Sequence, residues 1–265
     1  MGDIRVGIGG WVYKPWRGLF YPKDLPKAQE LEHASRRLTS IEINGTFYGA
    51  QKPASFRRWF QETPDTFVFS VKGPRFATHR SNLAESKPTI ERFFGTGVLE
   101  LGEKLGPLFW QFPATTKFDA ANFEAFLGLL PHKIDGRTIR HAVEIRHQSF
   151  ATPAAVALFR QHGVALVFVD GDGYLPFRDL TADFVYARLR NTIATEATGY
   201  PRAAIDTWAT RFRRWAEGGE PGDLERIDPA PAPALSRDCF VYFISGAKER
   251  APGAAEAMIK RLAMK

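Results

Sequence analysis

Eight short runs of apolar, β-branched or aromatic residues recur along this chain, separated by longer amphipathic stretches. The runs cover residues 5–9, 40–44, 67–72, 108–112, 141–146, 165–170, 184–190 and 240–244. Helical spacing fills the intervals at residues 27–38, 54–62, 87–105, 120–130, 153–162, 201–217 and 252–264. Strands that alternate with helices at this spacing predict βαβ units and a parallel sheet. Eight such units within 265 residues match the size and count of a TIM (β/α)8 barrel. The expectation is therefore α/β class, with one barrel domain over residues 1–265.

Two connections depart from the regular pattern. The interval between residues 170 and 184 is too short for a full helix. Residues 218–238 are rich in Gly, Pro and Ala and lack apolar periodicity, so they predict a flexible insertion before the last strand. One helix is well punctuated: Thr152 can cap it, Pro153 suits its first position and Gly163 its end.

Composition narrows the function classes. Hydrophobic residues make up 44% and aromatics 13%, enough for a large core, which excludes a disordered or fibrous chain. No run of 18 apolar residues occurs, so no transmembrane helix is expected. The start MGDIRVGIGG lacks the basic and apolar regions of a signal peptide. One cysteine, Cys239, excludes an internal disulfide and a cysteine-clustered zinc site. A cytoplasmic protein with no membrane partner is the expectation. The net charge of +7, carried largely by Arg, invites a nucleic-acid reading. The densest patches, Arg36-Arg37, Arg57-Arg58 and Arg211, Arg213 and Arg214, fall on helices and predict solvated faces.

In a barrel of this kind, chemistry gathers at the C-terminal strand ends. Residues two apart on a strand share a face. Glu42 and Asn44 therefore point one way, as do Glu144 with Arg146, and Tyr186 with Arg188 and Arg190. Ile43, Ile145, Ala187 and Leu189 face the helices instead. The other strand ends bring Trp11 and Tyr13, Lys72 followed by Arg75 and His79, Gln111, Asp170 and Tyr242. Tyr48 follows the second strand, where it could stack on a flat ligand together with Trp11. Charged groups directed into a barrel are costly unless paired or used.

Several segments together resemble one family. They are GIGGWVYKPWRGLFYP (7–22), SIEINGTFYGAQKPASFRRW (40–59), FSVKGPRFATH (69–79), KLGPLFWQFP (104–113), HAVEIRHQSF (141–150) and DFVYARLR (183–190). In this order they are similar to the YecE-like family, domain of unknown function 72. The resemblance implies a single TIM barrel and no established reaction. It places a pocket pattern on Trp11, Tyr13, Glu42, Asn44, Tyr48, Lys72, His79, Gln111, Glu144, Arg146, Asp170 and Arg188. The sequence departs from the family pattern at Arg190-Asn191 and at Tyr242-Phe243-Ile244-Ser245-Gly246, the strand-eight edge of the pocket.

These residues predict a mixed-charge pocket for a small phosphorylated or carboxylated molecule. Lys72, Arg75, Arg146 and Arg188 would hold the anion. Glu42 or Glu144 would move protons with His79, and a buried Lys72 would itself serve as a base or Schiff-base former. Trp11, Tyr13, Asn44, Tyr48, Gln111, Asp170 and Tyr242 would complete the binding surface. As an enzyme the chain would be a hydrolase or isomerase. No cofactor is required; a divalent metal on Glu42, His79, Glu144 and Asp170 is the alternative donor set. The competing classes are a nucleic-acid-binding, endonuclease-like barrel and a non-catalytic sensor of a small anion.

Overall fold

The computed structural model describes residues 1–171 and 178–264. Its strands are β1 (Ile4–Gly9), β2 (Ser40–Ile43), β3 (Val68–Lys72), β4 (Leu105–Gln111), β5 (His141–Glu144), β6 in two pieces (Ala165–Leu166 and Phe168–Val169), β7 (Phe184–Leu189) and β8 (Asp238–Phe243). All neighbours run parallel. β8 pairs with β1, with Val6 opposite Val241, while the first piece of β6 pairs with β5 and the second with β7. Val167 joins the two pieces, and its N–H donates to the Val143 carbonyl at 3.0 Å. One strand thus changes neighbours at a single residue and closes the eight-stave TIM barrel.

The outer layer is α1 (Glu30–Ser35), α2 (Pro53–Glu62), α3 (Lys87–Gly95), α4 (Ala120–Leu127), α5 (Pro153–Gln161), α6 (Arg202–Ala216) and α7 (Ala251–Ala263). Apolar spacing explains each helix's seat. In α6, for example, Ile205, Trp208, Phe212 and Trp215 are all buried on one face. Among the described residues no helix is long and apolar enough to cross a membrane. The connection after β6 contains no helix among its described residues; residues 172–177 lie outside them.

One expected helix is broken. Residues 87–105 form α3, then a tight 3-10 stretch, Val98–Lys104, before β4 begins at Leu105. Gly97 and Gly102 take left-handed φ of 92° and 54°, which ends one helix and turns the chain back into the sheet. A small hairpin, Lys133–Ile134 with Arg137–Thr138, also precedes β5, turning on Asp135 and Gly136 at positive φ.

Residues 218–237 form turns and irregular backbone, without helix or strand, up to the start of β8. They are strapped to the barrel. Arg160 of α5 pairs with Asp228, and the Asp179 carboxylate accepts the N–H groups of Ile227 and Asp228 at 3.0 and 2.9 Å. The buried Arg237 donates to the carbonyls of Ala182, Pro233 and Leu235.

Two apolar cores result. Ile43, Ile145, Ala187 and Leu189 face the helices, in the large core between sheet and outer layer. A smaller core inside the barrel holds Phe109, Ala142, Phe184, Tyr186, Phe240 and Tyr242. Gly7 faces this interior too: a Cβ there would lie 1.9 Å from the Ser40 carbonyl oxygen, so only glycine lets β1 approach β2.

Candidate functional site

Above the inner core, the barrel carries a charged layer. Arg188 on β7 is its centre and is 3% exposed. Its Nε and Nη2 donate to the two oxygens of Glu42 on β2, each at 3.1 Å, and its Nη1 donates to Oε2 of Glu144 on β5. The remaining acceptor sites are filled as well. Tyr186 Oη and Asn44 Nδ2 donate to Glu42 at 2.7 and 2.9 Å. Arg146 Nη2 and Gln111 Nε2 each donate to Glu144 Oε1 at 2.7 Å. The sequence alternation produces this convergence, because alternate residues of parallel strands meet at the axis.

Lys72 completes the layer differently. It is 5% exposed, yet its Nζ donates at 2.7 Å to the amide oxygen of Gln111, not to a carboxylate. The ammonium also lies 3.9 Å from the Phe47 ring centre and 5.5 Å from that of Phe109. Phe109 in turn stacks on Tyr186 and lies under Arg188. Phe47 and Phe109 were not picked out in the sequence; a bulky ring two residues before Gln111 on the same inward face was the available signal for Phe109.

The electrostatics follow from burial. Burial, then the neighbouring Arg188 charge, lowers the Lys72 ammonium from 10.5 to about 8. Burial alone would raise the Glu144 carboxyl, but the Arg188 and Arg146 guanidiniums outweigh it and hold it down to about 2. Burial disfavours the Arg188 cation, and the two carboxylates more than offset this, so its pKa rises. Burial and the Arg75 charge lower His79, which favours neutral imidazole.

His79 stands on the rim above Lys72. Its Nδ1 lies 3.1 Å from Thr78 Oγ1, and its ring meets Phe47 edge-on at 5.5 Å. Arg75 and Tyr48 are exposed on the same side. The layer and this rim therefore unite Glu42, Asn44, Lys72, Gln111, Glu144, Arg146 and Arg188, with His79, Arg75 and Tyr48 at its edge.

The other expected residues lie apart. Tyr242 is fully buried one step down the barrel, bonded to Ser40 and Ser70, so the expected ligand contact is corrected to a floor position. Asp170 is taken up by the β7 exit, accepting from Tyr200 Oη at 2.6 Å and from the Arg190 N–H. Trp11 and Tyr13 gather round a different cation. Lys248 Nζ lies 4.7 Å from the Tyr13 ring centre, and Trp11, Asn44 and Lys248 line a recess of about 330 Å³. Lys248 follows the last strand in a stretch the sequence reading passed over, and burial lowers its pKa.

The alternative metal set is not assembled. Among the described residues no group of three His, Cys, Asp or Glu side chains is placed to hold an ion. Glu42 and Glu144 are instead bridged by Arg188. The helical arginines also have partners: Arg36 pairs with Glu32, Arg37 with Glu256, Arg57 with Glu100, Arg58 with Glu62 and Arg211 with Asp223.

Comparison with known proteins is consistent with this architecture. The pattern of a family described as "Protein of unknown function DUF72" matches residues 5–265. The UPF0759 protein YecE of Escherichia coli K12 is 29% identical over 150 residues, which cover 56% of this chain and 50% of YecE. The chain spans about half the length of the curated relatives it matches. A DUF72 family protein from Thermotoga maritima shares the fold, with a TM-score of 0.73 at 21% identity, over 99% of this chain and 100% of the other. A fusion protein described as xylose isomerase-like TIM barrel and 4-hydroxyphenylpyruvate dioxygenase aligns at a TM-score of 0.50 and 16% identity, over 96% of this chain and 41% of its own.

Proposed function

The chain belongs to the DUF72 family, a family of unknown function, and from that premise we propose that it binds a small phosphorylated or carboxylated molecule at the barrel mouth. The carrying observation is Lys72, a nearly buried ammonium whose hydrogen-bond partner is a neutral amide. Three cations, Lys72, Arg146 and Arg188, meet two carboxylates, Glu42 and Glu144, within one connected layer. Lys72 forms no ion pair among the described residues, and a buried charge without a direct counter-charge is costly, which favours an anion beside it.

Any acid–base chemistry belongs on Lys72 and His79 rather than on the carboxylates. Glu144 is held ionised far below neutral pH, and both Glu42 oxygens are occupied by donors. Their part is to fix Arg188 and, through Gln111, Lys72. A lysine with a pKa of about 8 can give or take a proton near neutral pH, or attack a carbonyl once deprotonated. This suits a hydrolase or isomerase of a small anionic substrate; a sensor would use the same contacts without turnover. The nucleic-acid reading is weaker, because five of the seven helical arginines that suggested it are paired with acids.

Thermal unfolding with inorganic phosphate or acetate tests the binding. At a hundred times Kd, an anion adds about 2.7 kcal/mol, a rise of roughly 5–10 °C for a domain of this size. The rise should fade as pH passes through about 8, where Lys72 loses its proton, and should be absent in Lys72→Met. An equal shift in that variant, or none in the wild type, overturns the proposal. Turnover of an aryl phosphate, lost in the same variant, separates an enzyme from a sensor.

A further inference from the structure

A groove of about 390 Å³ opens beside the mouth, between the single helical turns Gly45–Tyr48 and Arg75–Thr78 and the helix α3. Phe47, Tyr48, Phe76 and Phe93 supply its apolar walls. Tyr48 is 76% and Phe76 60% exposed, and they are the two aromatic rings among the exposed large apolar side chains of the described residues. Two exposed rings on one groove form a larger apolar surface than scattered single residues do. The charged side chains along it are Arg80 and Arg92, with no acid among them. Arg80 is tied to the Phe76 and Glu85 carbonyls, while Arg92 has no acidic partner among the described residues.

Phe47 belongs to both places. It lines the groove, and its ring centre lies 3.9 Å from Lys72 Nζ. An occupant of the groove is therefore one ring's width from the lysine. We propose that this groove is an aromatic-ring subsite: it takes the flat ring, aryl or nucleobase, of a substrate whose phosphate or carboxylate sits at Lys72. The inference rests on the proposed anion site and adds the substrate class. Tyr48 and Phe76 offer stacking faces, and Arg80 and Arg92 offer cation–π attraction to a neutral ring.

Calorimetric titration of the full chain and of a Tyr48→Ala, Phe76→Ala double variant tests it, with inorganic phosphate, butyl phosphate, phenyl phosphate and adenosine 5′-monophosphate as probes. Both substitutions are on the surface and should leave folding intact. Phenyl phosphate or the nucleotide should bind roughly ten-fold more tightly than phosphate. That advantage, measured against phosphate in the same variant, should fall to about two-fold in the double variant. The tighter of the two ring probes identifies the ring source. Equal binding of phosphate and both ring probes would overturn the subsite while leaving the anion site standing. Butyl phosphate binding as tightly as phenyl phosphate would also overturn it, in favour of an unspecific apolar tail. If phosphate fails to bind but neutral benzamide binds and is lost in the double variant, the mouth reading falls and the ring subsite stays. A dimer in sedimentation that dissociates in the double variant would assign the groove to a second copy of the chain and refute the proposal.

Discussion

The two ends of this barrel close in opposite ways. At the N-terminal end, Arg5 pairs with Asp3 and Arg140 with Asp238, both at 2.7 Å, around a recess of about 400 Å³. These partners are wet: Arg140 and Asp238 are 31% and 34% exposed. At the C-terminal end, Arg188 is 3% exposed and its carboxylate partners not at all. The charge pairing differs too. Arg5 and Arg140 line the lower recess with Asp3, Glu103, Asp183 and Asp238, an acidic surplus, whereas Lys72 in the upper layer forms no ion pair among the described residues. The lower end shows that a barrel of this sequence can be closed by solvated pairs worth little each. Closure alone therefore does not account for the buried ions above, whose desolvation is expensive.

The contrast should be visible as a ladder of effects. The largest is at Arg188. Arg188→Met leaves two buried carboxylates without their shared cation and should cost about 3–5 kcal/mol in denaturant unfolding. Next is the acid limb. The Glu144 carboxyl falls from 4.5 unfolded to about 2 folded, so its contribution is complete above pH 4.5 and is lost as pH falls through 2. Glu144→Gln should flatten that part of the pH–stability curve; an unchanged acid limb would mean that Glu144 is not held as described. Of similar size is the alkaline limb. Lys72 goes from 10.5 unfolded to about 8 folded, so between these values the unfolded chain holds the extra proton and stability rises with pH. Unfolding midpoints of Lys72→Met should lack that rise. Smallest is the lower end, where Arg140→Met should cost under about 1 kcal/mol. Equal costs for Arg140→Met and Arg188→Met would erase the distinction between the two ends.

The barrel and its charged layer were largely legible in the chain, because both depend on local periodicity. Glu42, Glu144 and Arg188 could be set on one inward face by counting in twos, and the structure joins those three. What escaped depends on non-local geometry or on backbone signals passed over. Tyr242 obeys the same inward alternation and lies opposite Arg188 in register, yet its hydroxyl bonds to Ser40 and Ser70 in the floor, a depth that counting in twos does not give. Lys248 has no periodic context; the Tyr13 and Trp16 rings that surround it come from the other end of the chain. The break after α3 was readable in principle, since Gly95, Gly97 and Gly102 interrupt the apolar spacing. The Asp135-Gly136 pair likewise marks a tight hairpin.

The floor beneath the layer has a consequence for where protons can travel. Ser40 Oγ donates to the Val68 carbonyl at 2.7 Å, so toward Tyr242 it can only accept. Tyr242 must then donate to Ser40 and accept from Ser70, at 2.7 and 2.6 Å. Only this assignment makes all three bonds, and it runs one way, from Ser70 to the backbone of β3. Burial also pushes the Tyr242 hydroxyl up, away from ionisation. This hydroxyl chain thus ends on a backbone carbonyl that has no proton to pass on, so the open route for a proton that a reaction at Lys72 consumes or releases is the rim, where His79 is exposed.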